Sequence, residues 1–312
     1  MGDLGSDELR RMQGLAQHVI ATRPELINGD ATVGELAWVW GKDVDRLGHS
    51  WRHRLWHEGG QLVGWGWARL PHRLERVDGS VREVAEAELV WQVRPDRSEL
   101  LHEILDWYDQ VAGDVERAFT VQVPDKRARD IAGEHGYQFD AEAGSDTGHW
   151  MRFNTRDLTE IPAPELPTGF RFVTAGDVSA ADAVTAHRDA WPRSILTEAA
   201  FDRVRQTSPY RADQHLFVHA PDGTLAATAI VWLDVDTRTA EFEPVGTHHA
   251  YRRRGLGTAL QLHGMRVARD AGAARMFVAC LGAPAHPAAQ SMYDGVGFQE
   301  ITRDVPLVKP PG

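Results

Sequence analysis

Cysteine is almost absent from this chain of 312 residues: Cys280 stands alone. That excludes an intrachain disulfide and suits a reducing compartment. Its place at the end of an apolar run predicts a buried structural thiol rather than a nucleophile. Lysine is nearly as scarce, since only Lys42, Lys126 and Lys309 stand among 34 basic residues; such a bias fits GC-rich bacterial coding. No apolar run approaches the roughly 20 residues of a membrane-spanning helix, and the polar N-terminus has no signal-peptide core. The Met1-Gly2…Ser6 pattern matches a lipidation signal on paper, but in a bacterial chain it is noise. Excess positive charge is missing too. A net charge of −11 argues against nucleic acid and anionic membranes as partners and favours amines. With a single cysteine there is no Cys-x-x-Cys, and no metal site is expected. The expected location is the cytoplasm.

With 42% hydrophobic and 25% charged residues, the chain can bury two cores. Apolar periodicity predicts helices over 7–22, 32–40, 100–111 and 128–135, and strands over 86–93, 118–123 and 150–153. A hairpin is expected over 54–70, turning at Gly59-Gly60. Three prolines and little periodicity mark 154–168 as a linker. The order then begins again. A strand at 170–173 and helices over 179–191 and 197–207 precede a hairpin around Pro221-Asp222-Gly223. A strand over 238–247, a helix over 258–271, a strand over 274–280, a helix at Tyr293 and a strand over 301–308 complete the chain. Nine of the eleven tryptophans lie in the first half. Packing explains most of them, and some are candidates to line an acceptor cleft.

The stretch from Val245 to Thr258 says most about chemistry. Arg252, Gly255 and Gly257 form an R-x-x-G-x-G turn between a strand and a helix. Glycines there let successive N–H groups converge, and the helix adds its own unpaired N–H groups and the positive end of its dipole. The turn suits a pyrophosphate. Farther on, Pro287 to Phe298 carries Ala289, Tyr293, Gly297 and Phe298 in an A-x-x-x-Y-x-x-x-G-F pattern.

Together these motifs resemble the acyl-CoA loop and later helix of GNAT-type N-acetyltransferases, over roughly residues 169–305. The resemblance implies an α/β (α+β) domain with a mixed, mostly antiparallel central sheet flanked by helices. It implies acetyl-CoA as cosubstrate, held by Arg252, Arg253, Arg254, Gly255, Leu256, Gly257 and Thr258. Backbone groups of Val245, Gly246 and Thr247 should hold the pantetheine arm. His286 stands where the family usually has Asn. Tyr293 falls where the family's tyrosine approaches the CoA sulfur, and its phenol can donate a proton at neutral pH.

An amine must lose a proton before attacking a thioester, so a base is useful. Glu241 and Glu243 share one strand face by the two-residue period, and either is a candidate. His248 and His249 sit at the entry to the turn and read as surface or phosphate-facing groups.

The first half reads as the same fold again. Gly136-Tyr137 answers to Gly297-Phe298, while Ser98-Glu99-Leu100-Leu101-His102-Glu103 stands where Arg252 to Gly257 stand. No glycine opens that turn, and Glu99 and Glu103 are expected to repel phosphate with no arginine cluster to offset them. The expected organisation is a degenerate GNAT-like domain without CoA loop over 1–153, the linker, and a catalytic domain over 169–312. Such a tandem layout resembles the mycothiol synthase family. The expected activity is acetyl transfer to a primary amine, of a small molecule or a peptide, in a ternary complex. Acetylation of a cysteinyl amine and a non-catalytic acyl-CoA sensor are the alternatives.

Overall fold

A computed structural model describes residues 5–75 and 79–312; Met1 and Gly2 of the lipidation pattern lie outside them. The first half opens with helix α1 (Ser6–Thr22) and α2 (Val33–Leu47). Thr32 caps α2 by accepting the Glu35 N–H at 3.2 Å, one of the orphan donors of a helix start. Strands β1 (Trp51–Glu58) and β2 (Gln61–Arg69) form the expected hairpin. A small hairpin of β3 (His72–Glu75) and β4 (Val81–Val84), absent from the sequence reading, precedes β5 (Ala87–Val93). Then come α3 (Leu100–Ala112), β6 (Arg117–Gln122), α4 (Lys126–Glu134), β7 (Gln138–Phe139) and β8 (Met151–Asp157).

The second half adds β9 (Arg171–Thr174), α5 (Ala180–Ala190), α6 (Glu198–Arg205), β10 (His215–His219), β11 (Leu225–Asp234) and β12 (Thr239–Thr247). It ends with α7 (Leu256–Asp270), β13 (Arg275–Leu281), α8 (Pro287–Gly295) and β14 (Gln299–Lys309). Every residue of β11 is buried, as befits a central strand covered on both faces.

One sheet runs through the chain in the order β1-β2-β5-β6-β14-β8-β13-β12-β11-β10-β9. Its pairings are antiparallel except β5 with β6 and β12 with β13. The halves exchange their last strands. β8, before the proline-rich stretch, pairs with β13, while the N-terminal part of β14 pairs with β8 and its C-terminal part with β6. The linker expected at 154–168 is therefore shorter, because residues 154–157 belong to β8 and pair with Arg275 to Val278 opposite them. A further core joins the halves: Leu36, Trp38, Trp65 and Trp67 pack with Val204, Phe217, Ile230 and Trp232. The strand exchange and this core explain why no isolated boundary exists at residue 153. Among the described residues no helix is long and apolar enough to cross a membrane.

Candidate active site

The site begins with an irregular strand. The register of β12 against β11 slips between Ala229 and Val231, which face Val245 and Phe242, so that Glu243 and Pro244 stand opposite Ile230 alone. Such a bulge re-aims side chains. On its other edge β12 pairs with β13 only from Thr239 to Glu241. Beyond that the two strands separate. Glu243, Pro244 and Val245 on one side and Ala279, Cys280 and Leu281 on the other line a cavity of about 780 Å³. Tyr293 enters it from α8, Trp38 and Lys42 from α2 of the first half, and His187 from α5. A second cavity, of about 660 Å³, runs over the R-x-x-G-x-G turn. Trp191, Val245, Pro287, Ala288 and Ala289 line both, so the two form one groove.

The turn is built for close approach. Arg253 (φ 66°) and Gly255 (φ 78°) are left-handed, so the chain folds back just before α7 and its first N–H groups open on the cavity. Gly255 is needed for that conformation; Gly257 is needed for space. A Cβ on Gly257 would lie 3.0 Å from Met292 Sδ and 3.2 Å from Thr247 Oγ1. Val245, Gly246, Thr247, Arg252, Arg253, Gly255, Leu256, Gly257 and Thr258 all line this cavity. Through Arg252 the guanidinium donates to the carbonyls of Ala190 (3.2 Å) and Thr247 (3.4 Å), tying the turn to α5. Two expectations need correction. Arg254 does not line the groove but lies 5.0 Å over the Tyr251 ring. His286 stands just before α8 and lines the larger cavity instead, its ring tilted against that of His149 at 5.4 Å.

The two glutamates part company. Glu241 is buried, and it accepts from Thr32 Oγ1 at 2.5 Å and from the Gly34 N–H at 2.9 Å. It thus fastens the start of α2 to the sheet, and burial raises its pKa to about 7. Glu243 is half-buried and faces the cavity. Burial, then the neighbouring Glu241, push its pKa up to about 8, against the opposing pull of Lys42. Burial together with Glu243 and Asp30 also raises Glu35 well above the carboxylate range. Tyr293 is buried, and its phenol is pushed upward by burial and by Glu243; it stays a neutral donor. Cys280 is buried, as expected, near Asn154.

Asp189, His248 and His249 place three ligand atoms within 4.8 Å of one another. Their chemistry is taken up by hydrogen bonding. His248 Nδ1 accepts the Ala250 N–H at 3.0 Å, which puts the ring proton on Nε2, facing the Asp189 carboxylate at 3.4 Å. Sequence reasoning missed Lys42, Trp38, His187, Trp191 and Arg193, which line the larger cavity. Only the tryptophan bias hinted at this, and of the nine in the first half Trp38 is the one that lines this cavity.

Residues 181–298 match the acetyltransferase (GNAT) family. No curated protein matches the chain significantly in sequence. The solved structures it is similar to include a GCN5-related N-acetyltransferase from Sphaerobacter thermophilus, 17% identical, TM-score 0.61, covering 97% of this chain and 94% of that one. A tandem GNAT protein from the clavulanic acid biosynthesis pathway is 15% identical, TM-score 0.58, covering 99% and 98%. A GNAT-family acetyltransferase from Colwellia psychrerythraea is 12% identical, TM-score 0.58, covering 98% of both chains. At such identities the likeness is one of fold; the family match over residues 181–298 is what supports acyl-CoA-dependent N-acetyl transfer in general. Residues 181–298 are thus a GNAT acetyltransferase domain, and the whole chain shares the fold of tandem GNAT structures.

Proposed function

We propose that this chain transfers an acetyl group from acetyl-CoA to a primary amine by direct attack in a ternary complex. The open turn before α7, with Arg252 and Arg253 beside it, takes the pyrophosphate. Past Glu241 the outer edge of β12 has no partner strand among the described residues, so the backbone of Val245 to Thr247 offers the pantetheine arm a strand-like pairing. The amine enters through the larger cavity. Glu243 accepts its proton, the free amine attacks the thioester carbonyl, and Tyr293 returns a proton to the departing thiolate. Glu241 acts by anchoring α2 and is not the base. In this reading the second half binds the cosubstrate, and the first half supplies Trp38 and Lys42 to the acceptor side.

One observation carries the reading: the cavity holding Glu243 and Tyr293 meets the cavity over the glycine turn, along a shared wall. Thiol release from acetyl-CoA across a diverse amine panel tests it. Amine-dependent release is expected; CoA binding without release by any amine would leave a sensor in place of an enzyme.

A further inference from the structure

The larger cavity is charged oppositely to the molecule around it. The chain carries −11 overall, yet the acidic and basic side chains that line this cavity, histidines aside, are Lys42, Arg193 and Glu243. Two cations thus face one carboxylate, and burial favours the neutral form of that carboxylate. Neither cation is fully compensated within the chain. Lys42 lies 3.3 Å from Asp43, but Arg46 holds the same carboxylate at 2.6 Å. Arg193 is exposed and has no hydrogen-bond or ion-pair partner among the described residues. The two come from opposite halves of the chain, so this charge pattern exists only in the assembled fold.

Between them runs an aromatic wall. Trp38 lies 5.3 Å from the His187 ring, and His187 lies 4.5 Å from Trp191. Burial, with Lys42 and Arg188 nearby, lowers the His187 pKa to about 3, so the wall adds no charge at neutral pH. A purely cationic amine would meet two like charges at the mouth of such a site. An amine that also bears an acidic group would meet complementary ones.

We propose that the acceptor is a primary amine carrying an anionic group, which Lys42 and Arg193 bind while Trp38 and Trp191 flank its body. This rests on the acetyl-transfer reading above, and it names the substrate class. Lys42 and Arg193 are specificity residues; they take no part in the proton transfers.

A matched series tests it: propylamine, 4-aminobutyrate and 3-aminopropylphosphonate share one aminopropyl chain, phenethylamine and phenylalanine extend it to aromatics, and spermidine is the cationic control. For the intact wild-type chain, kcat/KM should be at least about tenfold higher for the acid-bearing members than for their parents. The carboxylate and phosphonate arms distinguish which acid is read. Arg193→Met and Lys42→Met should each lower the acid-to-parent ratio about tenfold, and the pair should bring it near one. A ratio is used because removing Lys42 also alters the surroundings of Glu243. Preference for propylamine or spermidine, or a ratio unmoved by both substitutions, would overturn the proposal. Calorimetric binding of the same series to the CoA-bound chain separates the two readings. Tighter binding of the acid-bearing members without turnover removes the enzyme and keeps the charge preference. No binding and no turnover of any member overturns the preference as well.

Discussion

Two strand pairs in one sheet begin alike and end differently. β5 with β6 and β12 with β13 each run parallel over three residue pairs, ending at Leu89↔Phe119 and Glu241↔Phe277. In the second half the gap beyond stays open and holds Glu243. In the first half it is closed by the chain itself. Trp91, two residues past the last pair as Glu243 is, donates its indole N–H across the gap to the Thr120 carbonyl at 2.9 Å. Asn28 fills in behind it, with its N–H on Gln92 Oε1 at 3.1 Å and its side-chain amide on the Trp91 carbonyl at 3.4 Å. The following turns differ too. Ser98 (φ −54°) and Glu99 (φ −63°) lead into α3 in right-handed conformation, with no fold-back like that at Arg253 and Gly255. α4 and α8 keep the same spacing: 297 − 136 and 287 − 126 both equal 161. Both left-handed glycines, Gly136 and Gly297, persist, yet Ala132 stands at the place of Tyr293.

Charge proves a poor discriminator between the halves. Glu99 was expected to repel phosphate unopposed, but Arg127 pairs with both its oxygens at 2.6 Å. What separates the halves is backbone and packing. A gap between diverging strands is a ligand site only when no segment of the same chain satisfies its free edge.

The largest test of that contrast is Gly257→Glu. It should abolish CoA binding to the whole chain by calorimetry while circular dichroism stays unchanged, because a carboxylate and a Cβ enter a space bounded at 3.0 Å. Wild-type stoichiometry should be one CoA per chain. Residual binding in the variant would place a second site at the closed gap and break the comparison.

Next come the groups that the first half lacks. Tyr293→Phe and Glu243→Gln should each lower kcat by about 10²–10⁴-fold, the usual span for a general acid or base. A rate within about threefold of wild type would remove that residue from the mechanism. They differ in pH dependence. Glu243 works only when ionised, so wild-type activity should climb as pH rises through about 8; Glu243→Gln should lose that limb. Glu241→Gln should keep the limb and stay within about tenfold in kcat, since its oxygens serve Thr32 and Gly34.

A smaller effect is expected at the closed gap. Asn28→Ala removes the side-chain bonds to the Trp91 carbonyl and from the Asp30 N–H, keeping the backbone bond to Gln92, and should cost about 1–3 kcal/mol in chemical denaturation, with no second CoA bound. The smallest concerns the strand exchange. Burial raises Asp304, on β14, to a pKa of about 8. Because the folded value lies above the unfolded one, its contribution is full below about pH 4 and is lost as pH rises through about 8. Asp304→Asn should therefore flatten the fall in melting temperature across that range; an unchanged slope would show that other buried carboxylates set it.

Much of this was legible because it is local. The glycine turn, the capped helices and the alternating strands depend on neighbours in sequence, and most of their bounds match within three residues, although α2 runs seven residues past its expected end at Trp40. The strand exchange was not legible. Residues 154–157 read as linker because nothing in Asn154-Thr155-Arg156-Asp157 itself shows that Met276 and Val278 wait opposite. Glu241 and Glu243 were equally eligible for the same reason, since strand period puts both on one face and says nothing of what meets that face.

The sequence by itself determined that a strand, a glycine-bearing open turn and a helix would follow one another, and that a similar element order occurs twice. Those properties follow from φ angles, missing Cβ atoms and short-range hydrogen bonding. Only the tertiary structure decided which copy stays open, which glutamate faces the cavity, and that Lys42 of one half lines the same cavity as Arg193 of the other. These depend on contacts between residues as many as 209 positions apart, as at Thr32 and Glu241, and no local pattern encodes which distant side chain will satisfy a buried carboxylate or an unpaired strand edge.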